Sequence, residues 1–91
     1  MNNEEKIEKA VEDFGTTVHE FRVRNSLTLQ DLAELVSCSP AYLWRIENHR
    51  RNPSVDFRLR FLEQGMGLST AEIYVYLEKY IAKEKLNRES E

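Results

Sequence analysis

The chain has 91 residues, 41% of them apolar and 32% charged, which suits one small domain and leaves little room for a second. No apolar run approaches the roughly 18 residues that span a bilayer, and the start Met1-Asn2-Asn3-Glu4-Glu5 lacks the apolar stretch of a secretory signal. A lone Cys38 cannot close an internal disulfide, so the expected setting is a reducing cytoplasm, away from membranes.

The net charge of −3 argues mildly against nucleic acid as a partner. Its distribution argues the other way. Residues 37–60 hold Arg45, Arg50, Arg51, Arg58 and Arg60 against two acids, and form the only cationic stretch. A local patch matters more to a polyanion than the total, although a solvated charge run on a helix would look the same.

Nothing alternates with a period of two over a useful length, and the apolar spacing is helical throughout, which predicts an all-α fold. Ile7, Val11 and Phe14 mark a leading helix over 3–13, ended by Gly15. Thr16 or Thr17 would cap the next, with Val18 and Phe21 inward, running to about Asn25. Thr28 then reads as an N-cap, Asp31 completes a capping box, and Leu29, Leu32, Ala33 and Val36 form the buried stripe. Ser39-Pro40 is a cap followed by proline at the first helical position, opening a helix to Asn48 with Leu43 and Ile46 inward.

Asn52-Pro53-Ser54 breaks the chain and caps again. Helix 55–64 is apolar on two sides, with Val55, Leu59 and Leu62 on one and Phe57 and Phe61 on the other, and Gly65-Met66-Gly67 stops it. Ser69 or Thr70 opens the last helix, about 70–86, with Ile73, Leu77, Tyr80 and Ile81 in register and Tyr74 and Tyr76 outside. Asn87–Glu91 is expected to fray.

Of these six helices, the middle pair carries the signal. Helices 29–36 and 40–48 are joined by three residues, a turn tight enough to force a sharp crossing, with Ala33 where the helices touch. Alone, that would also fit an ordinary helical hairpin. Stretch 18–54, however, resembles the Cro and phage-repressor (xenobiotic-response-element) helix-turn-helix family. The matching residues are Leu27-Thr28, Asp31-Leu32-Ala33-Glu34, Ser39, Tyr42-Leu43, Arg45-Ile46-Glu47 and Arg50-Arg51-Asn52-Pro53-Ser54.

The resemblance implies a five-helix repressor-like core, here over 16–68, with an N-terminal helical extension (1–15) and an extended C-terminal helix (69–91). It implies that helix 40–48 lies in the major groove of double-stranded DNA. Pro40, Ala41 and Arg45 would meet base edges, Arg45 as a fork on guanine and Ala41 against a thymine methyl, with Trp44 beside them as a wedge. Thr28, Ser39, Tyr42, Arg50, Arg51 and Ser54 would reach phosphates. Arg22 and Glu47 match a pair the family uses as a buried salt bridge. The implied function is a transcriptional regulator, most simply a repressor.

The departures are as specific as the matches. Where the family has glycine before the Leu-Thr, in the turn and after the recognition helix, this chain has Ser26, Ser37 and His49, with Asn48 an alternative left-handed cap. Leu29 replaces a frequent glutamine. Trp44 replaces a frequent serine, and an exposed tryptophan equally suits a regulatory protein partner. One recognition helix reads few base pairs, so a homodimer on an inverted repeat is expected, with Ile73, Tyr74, Tyr76, Leu77 and Tyr80 as its candidate surface.

No catalytic arrangement emerges, and the chain reads as a non-enzyme without cofactor. His19 and His49 lack partners at metal-ligand spacing, His49 fits best beside phosphate or in solvent, and Cys38 fits a buried structural thiol.

Overall fold

The computed structural model describes residues 3–89, and its regular elements are all helical. Helices α1 (Asn3–Glu12) and α2 (Phe14–Arg24) are separated only by Asp13. The Asp13 carboxylate accepts the Thr16 N–H at 3.0 Å and the Thr16 hydroxyl at 2.8 Å, so Asp13 caps α2, not Thr16 or Thr17. Gly15 correspondingly ends no helix. It lies in the first turn of α2, where a Cβ would overlap the Ile46 carbonyl oxygen. Glycine at the edge of an apolar run marks either a helix end or a close approach, and here it is the approach.

Helix α3 (Leu29–Leu35) opens on the Thr28–Asp31 capping box, in which Asp31 N–H donates to Thr28 Oγ1 at 3.0 Å and Thr28 N–H to Asp31 Oδ2 at 2.9 Å. Helix α4 (Pro40–Glu47) has Ser39 as cap, accepting the Tyr42 N–H at 3.1 Å, and Pro40 in its first position. Helix α5 (Val55–Arg60), capped by Ser54, continues into a π-helical turn (Phe61–Gly65), in which Met66 N–H reaches Phe61 O at 3.0 Å. Ser69 and Glu72 bond reciprocally to open α6 (Thr70–Glu89).

Four segment ends turn through the left-handed region: Ser26 (φ 55°), Ser37 (56°), His49 (58°) and Gly67 (71°). Behind each, the next N–H reaches back into the closing turn, Arg50 to Arg45 O at 2.8 Å and Cys38 to Ala33 O at 2.9 Å among them. All three positions that depart from glycine therefore keep the backbone that glycine would have. Asn48 does not substitute for His49, since its φ is −98°.

The core is aromatic at its centre. Phe14 meets the edges of Phe57 and Phe61 at 6.2 and 5.6 Å, and Val18, Leu32, Val36, Leu43, Ile46 and Leu62 close around them. Helix α1 packs on α6 and α2, burying Ile7 and Ala10. Lys79 pairs with Glu8, Asn3 bonds Glu72, and Lys83 donates to the Val11 and Glu12 carbonyls that end α1. Residue 15, the expected end of the N-terminal extension, lies in the first turn of α2.

Helix α6 differs from the expected phase. Tyr76 is fully buried and Ile81 is 54% exposed, so the inward stripe is Tyr76, Tyr80 and Lys83 flanked by Ile73 and Leu77. Tyr76 therefore leaves the candidate dimer surface, because its ring packs on Phe14 and Tyr80 and its hydroxyl accepts from Arg58. On α5 and the π-helical turn that continues it, Val55 is exposed while Phe57, Phe61 and Leu62 are buried. Residues 87–89 continue α6 rather than fray; the rest of the expected frayed tail, 90–91, lies outside the described residues, as do Met1 and Asn2 of the start read for a signal. Among the described residues no helix is long and apolar enough to cross a membrane.

Candidate nucleic-acid interface

Helix α4 is presented by α3 through the turn Val36–Ser39, with Ala33 buried at the crossing. Its inner face is Leu43, Ile46 and Glu47. Its outer face is Ala41, Trp44 and Arg45, with Pro40 half-buried at its start. Trp44 is 46% exposed, a large apolar area on the surface of so small a chain.

The five arginines of the cationic stretch divide into two sets. Arg58 and Arg60 turn inward. Arg58 is buried, and Arg60 donates to Ser37 O at 2.9 Å and pairs with Asp56 at 3.3 Å, tying α5 to the helix-turn-helix turn. Neither contributes as freely to an outer cationic face as the sequence suggested. The other three are exposed. Arg50 lies over the Trp44 ring at 6.0 Å and Arg51 over the Tyr42 ring at 5.6 Å, while the Arg45 guanidinium has no hydrogen bond or ion pair among the described residues.

The hydroxyl residues at this surface are caps first. Thr28, Ser39 and Ser54 accept the N–H of Asp31, Tyr42 and Phe57, which leaves each O–H free to donate to an oxyanion. The Tyr42 hydroxyl accepts from Ser54 N–H at 3.3 Å, so these two brace the loop that carries Arg50 and Arg51.

Behind the outer face, α2 grips the C-terminal half of α4. Arg22 donates to Glu47 through Nε at 2.7 Å and through its NH2 group at 3.0 Å, and to Leu27 O at 2.9 Å. His19 Nδ1 lies 2.7 Å from Glu47 Oε1, the oxygen that also accepts from the Arg22 NH2 group, and the Glu47 side chain is 4% exposed. Burial alone would push the Glu47 carboxyl up, but the bonds from Arg22 and His19 outweigh it and hold it below the usual range. His19 went unassigned in the sequence, although it sits three residues before Arg22 and so shares its face of α2. One turn further, His49 Nε2 lies 2.8 Å from Asp13 Oδ1, which places His49 on the α2 cap rather than free in solvent.

Cys38 is half-buried and desolvation raises its thiol pKa. Among the described residues no group of histidine, cysteine and carboxylate side chains is arranged to hold a metal ion.

No curated protein and no solved structure matches the chain. A family model does: residues 13–73 match that of a helix-turn-helix domain, a span that runs from the Asp13 cap to the first turn of α6 and takes in the whole interface just described. Such a domain suggests a DNA-binding regulator. With more than half of its length matched, and in keeping with the Cro and repressor resemblance of stretch 18–54, the chain belongs to this helix-turn-helix domain family.

Proposed function

We propose that the chain is a sequence-specific transcriptional regulator, a repressor in its simplest form, that reads the major groove with α4. The observation that carries this is the set of three exposed arginines, Arg45, Arg50 and Arg51, on or beside an outward helix face, with no carboxylate partner among the described residues. Arg45, one turn along α4 from Ala41, suits the bidentate contact with guanine O6 and N7, and Ala41 a thymine methyl. Arg50 and Arg51, with the hydroxyls of Thr28, Ser39, Tyr42 and Ser54, suit phosphates on either side. Pro40 and Trp44 complete the base-facing set. The Arg22–Glu47 pair holds the helix without touching bases.

For specific binding against a genome of competing sites, the chain would act as a homodimer on an inverted repeat with half-sites about 34 Å apart. With Tyr76 buried, the surface that suits a two-fold contact is Tyr74, 64% exposed, above a shallow groove formed by Leu59 on α5 and Ile73 and Leu77 on α6. Tyr80 contributes only at its edge, since it stacks on Tyr76. A protein of this kind works in the cytoplasm and needs neither cofactor nor catalytic group.

The experiment is binding to random and selected duplexes across a salt series. Arg45→Ala should relax sequence preference, whereas Arg50→Ala should weaken all duplexes alike and lower the salt slope by about one unit. Absence of any salt-dependent binding would favour the second reading, a helix-turn-helix turned to protein interaction. Trp44, 46% exposed on α4, supports that alternative, because an exposed tryptophan suits an apolar partner surface.

A further inference from the structure

Arg58 is 5% exposed, yet its hydrogen-bond and ring partners among the described residues are neutral. Its Nε donates to Pro53 O at 3.1 Å, one terminal nitrogen to the Tyr76 hydroxyl at 3.0 Å, and the other to Asn52 Oδ1 at 2.8 Å. Its guanidinium carbon lies over the rings of Phe14 and Tyr80, 4.9 and 4.7 Å from their centroids. No carboxylate pairs with it among the described residues. A buried cation without a counter-charge is costly, because neutral dipoles and aromatic faces recover only part of its lost hydration. A guanidinium also carries five N–H donors, and three are used here.

This arginine lines a cleft of about 330 Å³ between the α1–α2 junction, the end of α4, the loop after it and α6. That volume lies in the range of small-molecule sites, about 300–1,000 Å³. Lys83 lines the same cleft half-buried, and among the described residues its ammonium donates to neutral carbonyls, those of Val11 and Glu12. The acids of the wall, Glu12, Asp13 and Glu84, are exposed, and Asp13 is engaged with His49 and Thr16. The deepest charged group is the cation Arg58, with half-buried Lys83 beside it. The exposed rim carries both signs, Arg51 and His49 as well as the three acids, and water screens their fields.

We propose that this cleft is a binding site for a small phosphate- or carboxylate-bearing molecule, with Arg58 as the counter-charge at its floor and Lys83 beside it. The inference does not rest on the DNA-binding reading, although Arg51, proposed there as a phosphate contact, also lines the cleft. Its occupant would bridge α6 and the α1–α2 junction to Ile46 and His49, at the end of the helix proposed to enter the groove.

The test is thermal denaturation of the full chain titrated with inorganic phosphate and, separately, with citrate, against sodium chloride at equal ionic strength. One of the two anions should raise Tm saturably, by roughly 5–10 °C at ten times its Kd, while chloride does not. Arg58→Met, which replaces the guanidinium by an apolar chain of similar reach, should abolish the rise. Should that variant fail to fold, amide NMR of the parent chain gives the same answer. Shifts with phosphate or citrate should then centre on Gly15, His49, Asn52 and Tyr80. An equal Tm rise in Arg58→Met, no rise beyond chloride with either anion, or shifts centred on Ala41, Arg45 and Arg50 would overturn the proposal.

A labelled DNA duplex separates the two sources of an anion. A small-molecule site predicts that the anion-saturated chain still binds duplex at matched ionic strength. Mutual exclusion, together with weakened duplex binding by Arg58→Met, would assign the cleft to a backbone phosphate of DNA and refute the small-molecule reading.

Discussion

Glu47→Gln isolates the charge that anchors α4. The amide keeps the volume and one acceptor oxygen, but it presents an NH2 where Arg22 or His19 now donates. Removing one member of a buried ion pair costs about 3–5 kcal/mol, and because Arg22 is partly exposed at 18% the lower end applies, about 3 kcal/mol. For a domain of this size that is a fall in Tm of roughly 12–24 °C, measured by circular dichroism at pH 7. Arg22→Met alone should also destabilise, but the double variant should lose less than the sum, since no charge is then left unpaired. The pH dependence has a fixed sign. Glu47 has a folded pKa below its ordinary value of 4.5, so its contribution is complete above that value and is lost as pH falls through the folded one. The gap between parent and variant should thus narrow in acid. A variant within about 0.5 kcal/mol of the parent at pH 7, or a gap unchanged between neutral pH and pH 3, would refute the pair as a structural element.

The remaining predictions concern backbone and surface. Ser26→Gly with Ser37→Gly relieves two left-handed residues at about 1–2 kcal/mol each, offset by the greater freedom of glycine in the unfolded chain, for a net gain near 1 kcal/mol and a Tm rise of about 4–8 °C. Ser37→Ala should give no such gain, and less stable glycine variants would show these turns to be unstrained. Gly15→Ala should destabilise by about 1–3 kcal/mol in chemical denaturation, because its Cβ meets backbone that cannot swing away. A gain in stability, as for alanine in an open helix, would mean that α2 and α4 are not in contact there. Tyr74→Glu should stay folded and halve the mass of any dimer in sedimentation, and an unchanged dimer mass would exclude this face.

Local signals carried much of the fold. The Thr28, Ser39 and Ser54 caps each depend on residues within four positions, and the three serine or histidine turns were placed by the spacing of the resemblance, since the turn dictates backbone shape whatever residue occupies it. Helix α6 was out of phase for a reason its composition explains. Apolar residues at 73–77, 80 and 81 surround the helix, so its periodicity has no strong direction, and tertiary contact decides. The buried face meets Phe14 and Arg58, the latter a cation that no hydrophobic pattern would place inside. His19 was missed because its carboxylate partner is 28 residues away, and Asp13 because it follows α1 so closely that it read as the end of that helix.

The placement of these partners bears on how α4 could read a groove. Its C-terminal half is fixed to α2 at three points: the Gly15 contact with the Ile46 carbonyl, the Asp13–His49 bond, and the carboxylate of Glu47 held by His19 and Arg22. Its N-terminal half is fixed by the Ser39 cap, by buried Leu43 and, through the turn, by Arg60 on Ser37 O. None of these uses Ala41, Trp44 or Arg45. Stability and surface chemistry therefore lie on opposite faces of one eight-residue helix. A helix held this way keeps its orientation without help from a ligand, so little ordering would be lost when its outer face meets one. The same separation lets the outer residues be exchanged at small cost to the fold, within about 0.5 kcal/mol for exposed sites, so that any larger change in binding on replacing Arg45 reports recognition and not stability.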